Sequence, residues 1–231
     1  MRVAVLNDVH GNLPALEAVL GELEVVQPDL VVLGGDMVLG PFPRETLETL
    51  LALNDRACFV RGNTDRQPDG FVVDQLTVEQ LAFLAGLPVS VSLDVDGLGP
   101  TLFCHGSPRS DEEIVTRLTP EERLAPMLAG VDEDVVVHGH THVRYDRRSG
   151  AKRILCPGSI GMPYEEEPGA YWAALGPDVE LRRTPYDLEA AVGRIATSGL
   201  PGAEAWAREY VYAVNGPNEA SRYLEELASA D

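Results

Sequence analysis

The chain has 231 residues, 45% of them apolar and 24% charged, which are ordinary globular values and exclude a disordered or fibrous protein. Its 18 basic against 37 acidic residues give a formal net charge of -19, so the surface repels polyanions and nucleic acid is disfavoured as a partner. No apolar run approaches the roughly 18 residues of a membrane span, no charged and apolar leader precedes the first strand-like run, and Cys58, Cys104 and Cys156 show no metal-binding spacing. The expectation is one cytoplasmic domain over 1–231, with a core to about residue 184 and a C-terminal extension from about 185.

Short β-branched runs alternate with helical patterns through the first third: RVAVL, LPALEAVLGELEVV, DLVVLGG, RETLETLLAL and ACFVRG. Leu13, Leu16, Val19, Leu20 and Leu23 recur at three and four, the period of one buried helix face. This order predicts βαβ units and a parallel sheet, with ligands at the strand C-termini. From Val89 onward strands follow with few helices between them: PVSVSLDVD, TLFCHG, VVVHG, HVRYDRR, KRILCPG, AYWAAL and VELRRT. DGLGP and RRSGAKR read as hairpin turns, giving a two-sheet α/β chain. Beyond Thr184, Asp187 is placed to cap a helix LEAAVGRIATS that stops at Gly199, and PNEASRYLEELASA reads as a final amphipathic helix. The apolar stripe of these helices either covers the core or meets a second copy of the chain.

Metal-capable side chains fall at the predicted strand ends with great regularity. NDVHGN offers Asp8 and His10, GGDMVLGP offers Asp36, RGNTD offers Asn63 and Asp65, FCHGSP offers His105, and HGHTH offers His140 and His142. Carboxylate, amide and imidazole donors without thiolate suit borderline divalent ions such as Mn, Fe, Zn, Co or Ni. Burying these groups together without a cation leaves unpaired charge at a cost of several kcal/mol.

In these blocks the chain resembles the calcineurin-like metallophosphoesterases: Asp8 and His10 match DxH, Gly35 and Asp36 match GD, Gly62 and Asn63 match GN, and His105 matches the lone strand-end histidine. Gly139, His140, Thr141 and His142 match GHxH, CPGSIG near Cys156 extends the likeness, and the blocks HGNLPALEAVL, GDxxxxGP and HGSP look most like the small prokaryotic phosphodiesterase branch. The resemblance implies a four-layer αββα sandwich with two divalent metal ions, manganese favoured. It implies that Asp8, His10 and His142 hold one ion, that Asn63, His105 and His140 hold the other, and that Asp36 bridges them. A shared, deprotonated water would attack phosphorus in line, with Asp36 and Asn63 counted in the catalytic set.

Many members carry histidine after the GN block as leaving-group acid. Here GNTD has Thr64 there, and Asp65 is the candidate stand-in. Asn12, Arg61, Arg66, Arg109 and Tyr164 border the blocks as candidate substrate contacts, Arg109 foremost because guanidinium matches phosphate. His138 is expected to be a core or supporting residue. The leading expectation is a phosphodiesterase acting on a small phosphodiester or nucleotide. A phosphomonoesterase of the protein or dinucleoside polyphosphate type and a catalytically silent scaffold are the alternatives, and a nuclease is disfavoured by charge.

Overall fold

Alternate residues of each strand point to opposite faces, and the central strands here are apolar on both faces because both are covered. The computed structural model of the protein describes residues 1–212 and 216–229. In the first sheet β1 (Val3–Leu6), β2 (Leu30–Leu33) and β3 (Ala57–Phe59) run parallel, and β9 (Ala170–Leu175) and β10 (Val179–Thr184) extend it antiparallel in the order β10-β9-β1-β2-β3. The second sheet has the order β4-β5-β6-β8-β7, built from β4 (Ser90–Val95), β5 (Gly99–Cys104), β6 (Val135–Val137), β7 (Tyr145–Ser149) and β8 (Lys152–Cys156). Its inner strands β5, β6 and β8 are parallel, while the edges β4 and β7 close as antiparallel hairpins at the two predicted turns.

Val3, Val5 and Val32 meet Phe103, Val135, Val137 and Leu155 between the sheets. The opposite face of β1 and β2 (Ala4, Leu6, Val31, Leu33) packs on α1 (Leu13–Val26) and α2 (Pro43–Leu51) through Leu13, Leu16, Val19, Leu23, Leu47 and Leu50. Leu16, Val19 and Leu47 are fully buried, each contributing about 1.5–3 kcal/mol of transfer free energy. Beyond the second sheet, Leu102, Cys104, Val136 and Ile154 pack on Leu124 and Met127 of α6 (Glu121–Met127). The two mixed sheets flanked by helices are the expected αββα sandwich.

Short helices α3 (Asn63–Arg66), α4 (Gly70–Gln75) and α5 (Val78–Ala85) fill the crossover from β3 to β4. In the C-terminal part, Asp187 caps α7 (Leu188–Ile195) by accepting from the Ala190 amide, and the helix ends before the predicted Gly199 stop. α8 (Ala203–Ala207) continues into a π turn at Arg208–Tyr212, and α9 spans Pro217–Ala228. The last residue of the predicted stretch, Ala230, lies outside the described residues. Ala191, Ile195, Ala203, Ala207 and Val211 form their own cluster, joined to the rest through Phe42 and Tyr186.

HGHTH is not an extended strand. β6 stops at Val137, and His140 and His142 take φ of 69° and 58°, so the strand expected from His142 begins only at Tyr145.

Candidate metal centre

Five strand ends supply the cluster: Asp8 and His10 follow β1, Asp36 follows β2, Asn63 follows β3, His105 follows β5, and His140 and His142 follow β6. Asp8, His10 and His142 offer ligand atoms within 4.8 Å of one another, and so do Asp36, His105 and His140. The two groups adjoin at Asp36, whose Oδ2 lies 3.8 Å from His10 Nε2 and 3.4 Å from His105 Nε2. Asn63 Oδ1 stands 3.2 Å from His105 Nε2, on the side of the second group.

Backbone strain marks the same residues. Asp8 (φ 53°), His10 (47°), Asp36 (53°), His140 (69°) and His142 (58°) are five of the seven described non-glycine residues at positive φ. Each such conformation costs about 1–2 kcal/mol and persists where surrounding bonds dictate it. Those bonds are present. The Asp8 amide donates to Gly35 O (3.1 Å), that of His10 to Asp36 O (3.0 Å), and that of Thr64 to Asp36 Oδ1 (2.9 Å), while the His140 amide donates to the Asp8 carboxylate.

The imidazoles are aimed by their outer nitrogens. Nδ1 of His10, His105 and His142 lies 3.2, 2.8 and 2.8 Å from the carbonyls of Leu39, Gly34 and Met162, which makes Nδ1 an N–H donor and turns Nε2 inward. Nε2 of His10 and His142 then confront each other at 3.1 Å, with Asp8 Oδ1 3.3 Å from the latter. Acceptors aimed at acceptors repel unless cations sit among them, so this donor set fits divalent metal.

The electrostatics agree. Burial and the neighbouring His142 push His10 down to about 4, and burial and His105 do the same to His140, so both are neutral at pH 7. Burial opposes ionisation of Asp8 and Asp36, but His142 and His105 together outweigh it at Asp8, and His105, His10 and the Thr64 amide together at Asp36, holding both carboxyls below their usual range. Against its own burial, His105 is pushed up to about 10 by Asp36 and Asp8. Two buried carboxyls held below their usual range favour a cation among them.

The remaining candidates go elsewhere. Asp65 is buried, and its carboxylate accepts from the amides of Asp36 (2.8 Å), Gly62 (2.9 Å) and Met37 (3.0 Å). Burial and the nearby Asp36 push it up to about 6. These bonds tie its carboxylate to the backbone around Asp36. Asn12 caps α1 through the Ala15 amide and donates to Gly161 O, so it too is committed to the backbone. Arg61 and Arg66 converge on Asp111 at 3.5 and 2.9 Å, and Arg109 pairs with Glu113 at 2.5 Å. None of the hydrogen bonds of these arginines reaches a cluster residue. Tyr164 alone among the candidate substrate contacts stays at the centre, its ring stacked on His142 with centroids 5.3 Å apart. Burial and the carboxylates of Glu209 and Asp8 raise its phenol above the ordinary value.

His138 is a core residue, its Nε2 bonded to the Tyr145 hydroxyl and its pKa pushed down to about 4 by burial. Two supporting side chains were not singled out from sequence. Ser159 Oγ donates to Asp8 O (2.7 Å) and accepts from the Met162 amide (2.8 Å), and Asn7 Nδ2 donates to His138 O (2.9 Å). Ser159 lies in the CPGSIG run, which carried a signal, whereas Asn7 stands beside the more conspicuous Asp8 and carried none.

Two sheets with histidines and carboxylates gathered at one edge define a metal-dependent phosphoesterase. The chain belongs to the calcineurin-like phosphoesterase superfamily, whose domain model matches residues 1–175. It is 31% identical to phosphodiesterase YfcE of Escherichia coli K12 over 182 residues, 74% of this chain and 85% of that one, which sets it in the small prokaryotic branch. The crystal structure of a metallophosphoesterase from Sphaerobacter thermophilus superposes with a TM-score of 0.75 at 28% identity, over 91% of this chain and all (100%) of that one. An uncharacterized protein of Methanocaldococcus jannaschii is 25% identical over 86% of this chain and 93% of its own. Among the described residues no helix is long and apolar enough to cross a membrane.

Proposed function

We propose that the protein hydrolyses a small phosphodiester with a pair of divalent cations, manganese favoured. The observation that carries this reading is the adjacency of two three-residue groups, Asp8–His10–His142 and Asp36–His105–His140, buried except for half-buried His140, with Asp36 Oδ2 within 4 Å of a histidine from each. Asp8, His10 and His142 would hold one ion, Asn63, His105 and His140 the other, with Asp36 between them. When bound, such a pair supplies Lewis acidity toward the phosphoryl oxygens and lowers the pKa of a coordinated water.

The chain's own contribution is orientation. Carbonyls of Gly34, Leu39 and Met162 fix three imidazole tautomers, and the Thr64 amide fixes Asp36. Of the five histidines in the sequence, four belong to the cluster and the fifth, His138, is buried against Tyr145. No imidazole is left to protonate a leaving group, which supports esters whose leaving group departs without one. This favours activated or diester substrates over unactivated phosphomonoesters. The three free cysteines fit a cytoplasmic setting, with burial raising the Cys156 thiol to about 12.

The test is hydrolysis of bis-para-nitrophenyl phosphate against para-nitrophenyl phosphate with manganese, nickel or a chelator. Turnover of the diester in excess of the monoester, abolished by chelation, is expected. Exclusive turnover of the monoester would make the phosphomonoesterase reading correct instead.

A further inference from the structure

A cleft of about 330 Å³ opens beside the metal centre, lined by Tyr164, Glu209, Glu219, Ala220, Tyr223 and Leu224. Tyr164 is its link to the chemistry, since the same ring that lines the cleft stacks on the candidate ligand His142. The other walls come from the π turn and α9, beyond the residues 1–175 matched by the family model. The cleft is therefore walled partly by residues outside the family match.

Its wall is held in place. Glu225 on α9 accepts from Thr116 Oγ1 (2.6 Å), Thr119 Oγ1 (2.5 Å) and Arg123 Nη2 (2.5 Å), and Arg117 donates to Asn218 in the first turn of the helix. Tyr223 is 61% exposed, so its ring is open to a ligand. The lining combines two phenol rings and two carboxylates with no arginine or lysine. Aromatic faces and carboxylates both attract cations, and quaternary ammonium groups are held in this way. An anionic substituent would be repelled there, and a neutral one would gain only the apolar contacts of Leu224 and Ala220.

Resting on the phosphodiesterase reading above, we propose that the cleft between Tyr164 and α9 is a specificity pocket for one ester substituent of the diester. It selects a substituent carrying a cationic ammonium group. The diester phosphate sits at the metal centre and the ammonium end reaches past Tyr164 toward Tyr223 and Glu219. In hydrolysis a water oxygen bonds to phosphorus, the bond from phosphorus to one ester oxygen breaks, and the water proton goes to solvent. The ammonium group itself takes no part in bond changes.

The experiment compares para-nitrophenyl phosphocholine with its uncharged carbon isostere, para-nitrophenyl 3,3-dimethylbutyl phosphate, on the manganese-loaded full chain. The same nitrophenolate leaves in both. An advantage in kcat/KM of about tenfold is expected for the choline ester, the size of a partly desolvated cation–π contact. Glu219→Gln and Tyr223→Ala, both outside the metal ligands, should each reduce that ratio toward one. Choline should also bind the metal-free protein in a calorimetric titration and fail to bind the Tyr223→Ala variant. Equal kcat/KM for the two esters, or a ratio indifferent to both substitutions, would overturn the pocket assignment while the bis ester is still cleaved. Preference for a para-nitrophenyl nucleotide diester over the choline ester would overturn it in favour of a base pocket. Loss of all diester turnover would instead overturn the phosphodiesterase reading.

Discussion

Replacing Gly62 by alanine separates the geometry of the centre from its chemistry, because no ligand atom is removed. Gly62 has φ -93° and ψ 171°, a conformation alanine adopts freely, so backbone entropy alone would make the variant more stable by about 0.4–1 kcal/mol. Contacts reverse the sign. A Cβ at this position would lie 2.1 Å from Asp36 Oδ1 and 2.3 Å from the Asp36 amide nitrogen, so the Asp36 segment must retreat by roughly 1 Å. Overpacking of this kind costs about 1–3 kcal/mol, leaving a net loss of about 1–2 kcal/mol and a melting temperature lower by about 2–8 °C for a chain of this size. Displacing the Asp36 carboxylate by that distance should lower diester turnover by about 100-fold and reduce metal content. Thermal melting, metal analysis by mass spectrometry and bis-para-nitrophenyl phosphate turnover read the three effects together. A variant with a raised melting temperature, full metal content and undiminished turnover would refute the placement of Asp36 against Gly62.

His138→Gln should keep the metals and most of the activity, because His138 bonds Tyr145 and no metal, and should lose about 1–3 kcal/mol in denaturant unfolding through the broken buried bond. In the metal-free protein His10, His138 and His140 have folded pKa values of about 4, below the ordinary 6.5. The unfolded chain then binds more protons between pH 6.5 and 4, and stability falls as pH falls through that window, by at most roughly 3 kcal/mol per imidazole. His105, raised to about 10, has the opposite sign: its contribution is full below pH 6.5 and is lost as pH rises toward 10. Urea titrations of chelated protein across pH 4–10 should give a dome, and a flat profile would contradict the buried, mutually opposed imidazoles. Glu225→Ala should release α9 from Thr116, Thr119 and Arg123, seen as faster proteolytic cleavage after the π turn with the core intact.

The five strand-end blocks were legible because each strand is short, mostly apolar and followed by glycine or a polar turn residue, so the candidate ligands announce themselves by position. The division of the candidate ligands into two groups followed from the family likeness; in the structure Asp8, His10 and His142 lie together, and so do Asp36, His105 and His140. What the sequence could not convey was where the surrounding polar side chains point. Arg109 directly follows a ligand block, yet Glu113 four residues on captures its guanidinium; Asp65 sits in the GN block, yet three backbone amides claim its carboxylate. Short helices such as α3 and α6 escaped because one or two turns cannot display a helical period, and Pro126 interrupts the pattern of α6. The C-terminal helices were visible, but their bearing on the centre was not, since the contact of Tyr164 with α9 joins residues distant in the chain.

The central claim is that two cations share Asp36, and metal content measured together with diester turnover tests it most directly. Reconstituted wild-type protein should carry about two divalent ions per chain and cleave bis-para-nitrophenyl phosphate, and Asp36→Asn should lose metal and turnover together. Fewer than about one ion per chain after reconstitution, or full turnover in Asp36→Asn, would contradict the account.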